Sequence, residues 1–184
     1  MPQMAFYFDQ TRCIGCYACL IACKDWNNTE LDWREIICIE KGKFPNLFVA
    51  YLSISCFHCE NPCCITVCPA NAILKREKDG IVVVDEEKCL GKDVCGMPCK
   101  DACPYNIPKA DVESKMKMQK CNFCLGRLEE GKPPVCVAAC PTRALDYGVI
   151  EDLTKKYGNI REAEGFSYNL TIKPSIIFKP KKPK

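Results

Sequence analysis

At 184 residues the chain suits one domain or two small ones packed together, and its eighteen cysteines stand far above ordinary usage. Such a count points to a covalent or metal framework replacing part of the hydrophobic core. The formal charge of +3 excludes a strongly basic nucleic-acid-binding surface, and it counts every cysteine as a neutral thiol.

The opening "MPQMAFYFD" has neither the basic start nor the long apolar core of a secretory signal, and no twin-arginine pair follows. The expectation is a reducing cytoplasm in which thiols stay free, with export alongside a signal-bearing partner as the alternative. Within that opening, "AFYFD" reads as a strand. "RCIGCYACLIACKDW" then places Cys13, Cys16, Cys19 and Cys23 in one tight loop. "REIICIEKG" alternates like a strand, so the solitary Cys38 is read as a buried core thiol. The longest apolar run, "LFVAYLSI" at 47–54, is far too short to span a bilayer, so no transmembrane segment is expected.

A second group, "SCFHCENPCCITVCPANAI", holds Cys56, Cys59, Cys63, Cys64 and Cys68. "AILKREKDGIVVVDEEKC" reads as strand, Asp79-Gly80 turn, strand, with Lys75, Arg76 and Lys78 on a solvated edge. The third group carries Cys89, Cys95, Cys99 and Cys103, and the fourth carries Cys121, Cys124, Cys136 and Cys140. "ALDYGVI" after Cys140 matches "AFYFD" as the second strand of an outer pair. "IEDLTKKYGN" at 150–159 reads as a short helix stopped near Gly158. The tail "IKPSIIFKPKKPK" is read as a solvated basic arm, in preference to a contact strand for a partner.

Cys68, Cys103 and Cys140 each precede a proline, and "CPANAI" and "CPTRAL" continue alike, an internal repeat. The expected organisation is therefore α+β, built from two interleaved ferredoxin-like modules of short hairpins and short helices. Residues 1–50 with 110–150 form the outer module, 51–109 the inserted one, and 151–184 a helix and tail.

Three chemistries compete for the cysteines. A disulfide framework needs an oxidising compartment and gives no reason for quartets ending in proline. Structural zinc takes two close ligand pairs across a loop, which only the fourth group resembles; a zinc-binding interaction module remains the rival from another class. Iron–sulfur clusters explain both density and spacing. Three cysteines at two-residue intervals wrap one cubane, and the fourth, three residues on, ligates its neighbour. The proline that follows turns the chain. On this reading Cys13, Cys16 and Cys19 hold one cluster and Cys23 reaches a second. A c-type haem is unsupported, since His58 precedes Cys59.

Nearly the whole chain resembles the iron–sulfur electron-transfer (beta) subunits of the dimethyl sulfoxide reductase family, kin of the polysulfide, thiosulfate, nitrate and formate-oxidising enzymes' subunits. The resemblance rests on "DQTRCIGCYACLIACKDWN", "YLSISCFHCENPCCITVCP", "KREKDGIVVVDEEKC", "KCNFCLGRLEEGKPPVCVAACPTRALDYG" and "IKPSIIFKP". It implies four [4Fe-4S] clusters. Cys13, Cys16, Cys19 and Cys140 would hold one. Cys56, Cys59, Cys64 and Cys103 would hold another. Cys68, Cys89, Cys95 and Cys99 make a third set, and Cys23, Cys121, Cys124 and Cys136 the fourth. Cys64 is preferred to Cys63 because Pro62 then sits two residues before the ligand. The third group departs from the family, with Lys92 where a cysteine is usual; Cys99 is taken as the substitute, a [3Fe-4S] site being the alternative.

Of the remaining residues, Trp26 and Trp33 serve equally as cluster shields or ordinary packing. His58 is read as a hydrogen-bonding residue and Lys92 as a surface lysine or a local cation. No phosphate loop, nucleophile elbow or histidine–carboxylate constellation is present, so the chain is read as a non-catalytic carrier of single electrons. The resemblance implies a large catalytic partner with a molybdenum or tungsten bis-pterin cofactor, and a membrane quinone-reactive subunit or soluble donor at the other end. Service to a hydrogenase, a formate-linked complex or an aldehyde-oxidoreductase-type tungsten enzyme is the alternative.

Overall fold

A computed structural model describes residues 2–113 and 115–183. Its spine is β1 (Met4–Asp9), whose residues beyond Met4 are all buried. Period-two alternation sends Phe6 and Phe8 to one face and Ala5 and Tyr7 to the other. β6 (Leu145–Val149) pairs with it antiparallel, as the matching of "AFYFD" and "ALDYGVI" anticipates.

The other edge of this sheet corrects the reading of the tail. β7 (Ile176–Lys179) lies parallel to β1, with Ile176, Ile177 and Phe178 buried. The lysine-rich part begins only beyond those residues. What reads as a solvated arm is an apolar strand, because β1 offers an unpaired edge and three large side chains gain by leaving water. α7 (Ile150–Tyr157) covers the second face of the sheet through Leu153, stacks Tyr157 on Tyr7 at 3.7 Å, and ends where Gly158 takes φ +85°.

β2 (Arg34–Lys41) and β3 (Phe48–Ser55) form an antiparallel hairpin. Cys38 faces Tyr51 across it and is exposed, which overturns its reading as a core thiol. The alternation that suggested burial belongs to a ribbon whose outer half meets solvent on both faces. The third sheet, β4 (Ile73–Lys75) with β5 (Val82–Val84), is the hairpin read around Gly80. On its turn Arg76 pairs with Asp79 at 3.2 Å and Glu129 at 3.3 Å. Lys75 is not on a solvated edge: its ammonium donates to the carbonyls of Cys59 and Glu60 at 3.0 and 2.7 Å.

The remaining elements are short helices: α1 (Ala18–Asn27), α2 (Cys63–Thr66), α3 (Lys92–Cys95), α4 (Pro98–Asp101), α5 (Leu125–Glu129) and α6 (Val135–Ala138). α1 packs on α6 and α2 on α4. The result is a mixed α/β fold of three small sheets and short helices. Among the described residues no helix is long and apolar enough to cross a membrane.

Candidate metal centres

All four cysteine groups begin with one backbone device. The residue two after the first cysteine is left-handed: Gly15 at φ +68°, His58 at +45°, Gly91 at +81° and Phe123 at +63°. That turn aims an amide back at sulfur, as where the Phe123 N–H donates to Cys121 Sγ at 3.4 Å. Glycine marks two of these positions in the sequence; the other two carry no signal, because histidine and phenylalanine reach such a conformation only under tertiary constraint.

A second device follows. Each group ends on a helical turn bearing two cysteines four residues apart: Cys19 and Cys23 on α1, Cys64 and Cys68 at α2, Cys99 and Cys103 at α4, Cys136 and Cys140 at α6. After Cys68, Cys103 and Cys140 the chain turns through proline, and the third residue on is again left-handed. Asn71, Asn106 and Arg143 each donate an amide to the cysteine carbonyl, at 3.2, 3.0 and 3.3 Å. The next amides reach sulfur: Ala72 to Cys68 at 3.4 Å and Ala144 to Cys140 at 3.2 Å.

These devices gather the thiols into sets. Cys13, Cys16, Cys19 and Cys140 line a cavity of about 320 Å³. Cys56, Cys59, Cys64 and Cys103 line one of about 410 Å³, with Cys63 also at its wall. Cys68, Cys89, Cys95 and Cys99 line one of about 380 Å³ whose remaining lining is apolar apart from Lys92. Cys23, Cys121, Cys124 and Cys136 are buried where α1 meets α6, near enough to perturb one another's ionisation. Cysteines four apart therefore face different sets. Cys63 breaks that spacing, and its thiol donates to the Ala102 carbonyl at 3.1 Å. Lys92 stands where Cys16, Cys59 and Cys124 stand in the other groups; its side chain is exposed, and its amide donates to the Met116 carbonyl at 2.7 Å.

The sets form a sequence of neighbours. Cys19 lies close to Cys136, Cys121 lies close to Cys56, and Cys64 and Cys68 share one turn. Burial raises most of these thiols above their ordinary range, Cys23 and Cys64 to about 12 and Cys99 to about 11, with nearby sulfurs pushing the same way. Cys140 goes down: hydrogen bonds from Thr142 and from backbone amides outweigh its burial. Clustered thiols of this kind ionise together only when cationic metal takes up their charge.

Three buried nitrogen groups border the sets. Arg34 is 3 % exposed, and its Nη2 has no hydrogen-bond partner. Lys120 is buried beside the set of Cys56 and donates to the carbonyls of Val82 and Cys121. His58 is wholly buried. Its Nδ1 accepts the Val82 amide at 3.0 Å, and burial with Lys120 and Arg34 nearby holds the ring neutral. Nε2 must then carry the proton, and it too lacks a partner. Of the tryptophans, Trp33 donates to Gln119 Oε1 at 3.1 Å, and half-exposed Trp26 takes the Arg127 guanidinium over its ring. His58 is legible in the sequence as a hydrogen-bonding residue; Arg34 and Lys120 are not, since only convergence of distant segments buries them.

Among the described residues no group of three or more His, Cys, Asp or Glu could hold a single metal ion. The all-sulfur sets ring cavities instead, with amides directed at sulfur, which suits a multinuclear iron–sulfur cluster rather than a lone tetrahedral zinc. Fold and sites thus define an iron–sulfur protein of the ferredoxin class.

Comparison with known proteins agrees. Residues 47–150 match the family described as a 4Fe-4S dicluster domain. The B component of the anaerobic dimethyl sulfoxide reductase of Escherichia coli (strain K12) is 44 % identical over 188 residues, covering 97 % of this chain and 89 % of that protein. The B component of the sulfite dehydrogenase of Allochromatium vinosum is 34 % identical, covering 90 % of this chain and 77 % of that one. The thiosulfate reductase electron transfer subunit PhsB of Salmonella typhi is 36 % identical, covering 82 % and 78 %. The protein belongs to the iron–sulfur electron-transfer subunits of the dimethyl sulfoxide reductase family. It is a non-catalytic carrier of electrons through 4Fe-4S clusters.

Proposed function

We propose that the chain holds four [4Fe-4S] clusters, two in each of two interleaved modules, as one relay. The first site takes Cys13, Cys16, Cys19 and Cys140. The second takes Cys23, Cys121, Cys124 and Cys136, the third Cys56, Cys59, Cys64 and Cys103, and the fourth Cys68, Cys89, Cys95 and Cys99. The observation that carries this reading is the fourfold pair of cysteines four residues apart on one turn, each pair facing two neighbouring sets. That is the ferredoxin pairing rule applied twice. The outer module draws on both sides of the inserted one, as β1 pairs with β6 across more than a hundred intervening residues.

When bound, the clusters supply one-electron transfer without bond making. The protein's part is to hold the thiolates in place, shield them from water and set their charge environment. Cys16 is exposed at the first site, and Val94 and Leu90 are exposed beside the fourth, so both ends of the relay approach the surface. One end would face a molybdenum- or tungsten-pterin catalytic subunit, and the other a membrane quinone-reactive subunit or soluble donor. The complex would lie in the cytoplasm or be carried out folded with its partner.

Iron and acid-labile sulfide are to be measured on the anaerobically purified full chain. About sixteen irons per chain are expected, twelve or fewer would remove a site from the relay, and about fifteen would mark one three-iron site.

A further inference from the structure

Arg34 opens β2 in the core, directly beside two sets of cysteines. Its Nη1 donates to Ser53 Oγ at 2.8 Å across the hairpin, and its Cζ lies 5.0 Å from the centroid of the Phe6 ring. Those contacts clamp the guanidinium plane and leave Nη2 buried with nothing to donate to. No carboxylate pairs with it among the described residues, whereas partly buried Arg76 has two. The ionisable side chains that weigh most on it are Cys136, Cys19, Cys121 and Cys23. Cys19 belongs to the first set and the other three to the second.

A guanidinium stays charged at any accessible pH, and a buried charge must be met by an opposite one. Among the described residues, the groups placed to meet it are the sulfurs of two neighbouring sites. We infer that Arg34 is a positioning residue shared by the first and second clusters, whose Nη2 donates to sulfur between them and whose fixed charge raises both potentials.

The inference rests on the four-cluster reading and goes beyond it. Reduction adds one negative charge to a site, and a permanent cation in a poorly screened interior favours that added charge. One cation acting on two sites lifts both together. Lys120, beside the set of Cys56, has no equivalent place between sites one and two.

The test compares wild type, Arg34→Met and Arg34→Lys in the full chain. Iron content is paired with a redox titration followed by electron paramagnetic resonance. In R34M two of the four midpoints fall, each by at least a tenfold shift in the reduction equilibrium, about 59 mV for one electron, while the other two stay. R34K keeps the charge but loses the planar fork, so the same two midpoints fall by less. If R34M does not retain iron, R34K decides: a fall confined to two clusters supports the inference, and four unmoved midpoints overturn it. Unmoved midpoints in a fully loaded R34M overturn it outright. A wild-type chain without four titrating clusters would sink the underlying reading, and the inference with it.

Discussion

Residue identity matters most where two cysteines compete for one place. Cys63 and Cys64 are adjacent and both reach the wall of the same cavity, but only Cys64 stands four residues before Cys68. The Cys63 thiol is already committed to the Ala102 carbonyl. Cys64→Ser should therefore drop iron from about sixteen per chain to about fifteen or twelve, whereas Cys63→Ser should leave it unchanged. Iron analysis of the two variants side by side decides, and the opposite pattern would reassign the ligand. The cysteines are legible in the sequence because no other residue supplies soft anionic sulfur at fixed spacings. Arg34 and Lys120 are not. An arginine at a strand start and a lysine before a cysteine are ordinary in a linear sequence, whereas the one histidine, between two cysteines, is noticed. They matter here because the fold strips them of water.

Elements are legible where local chemistry suffices. The Asp79-Gly80 hairpin and the helix ending at Gly158 carry their own turn and stop residues. β7 does not. Five residues between Pro174 and Pro180, in a stretch that ends in lysines, read as tail until β1 provides the edge that orders them. The hairpin of β2 and β3 is half legible for a related reason: one run alternates like a strand but shows no partner, and the other reads only as too short for a bilayer. The correction for β7 has a measurable consequence. Phe178 is wholly buried, in edge contact with Phe8 and tilted against Phe166 at 4.8 Å. Phe178→Ala should destabilise the protein by about 3–5 kcal/mol, the usual loss when a core phenylalanine leaves a cavity. A solvated arm would lose almost nothing. Anaerobic thermal unfolding followed by cluster absorbance and far-ultraviolet dichroism distinguishes the two, and an unchanged midpoint would return the strand to the surface.

At the scale of the whole molecule, the sheets are small and sulfur-lined cavities stand between them and the short helices, so bound metal would complete the packing there. Its charge then dominates the protein's electrostatics. The polypeptide alone carries a formal +3 and a sequence pI near 8.0. Four thiolates and one oxidised cubane together carry about −2, so four filled sites would carry the protein to roughly −5. The sign of the net charge should therefore invert on loading. In anaerobic native electrophoresis at pH 7 the brown protein should run toward the anode and the iron-stripped chain, its thiols protonated, toward the cathode. Two filled sites would leave the charge at about −1, almost immobile, so mobility also counts sites independently of iron analysis. Inversion further implies that any docking surface on the loaded protein works against an acidic background, and that stretches such as Lys179, Lys181 and Lys182 are local exceptions to the field around them. Loaded protein that still ran toward the cathode would mean that the thiols are not holding anionic clusters.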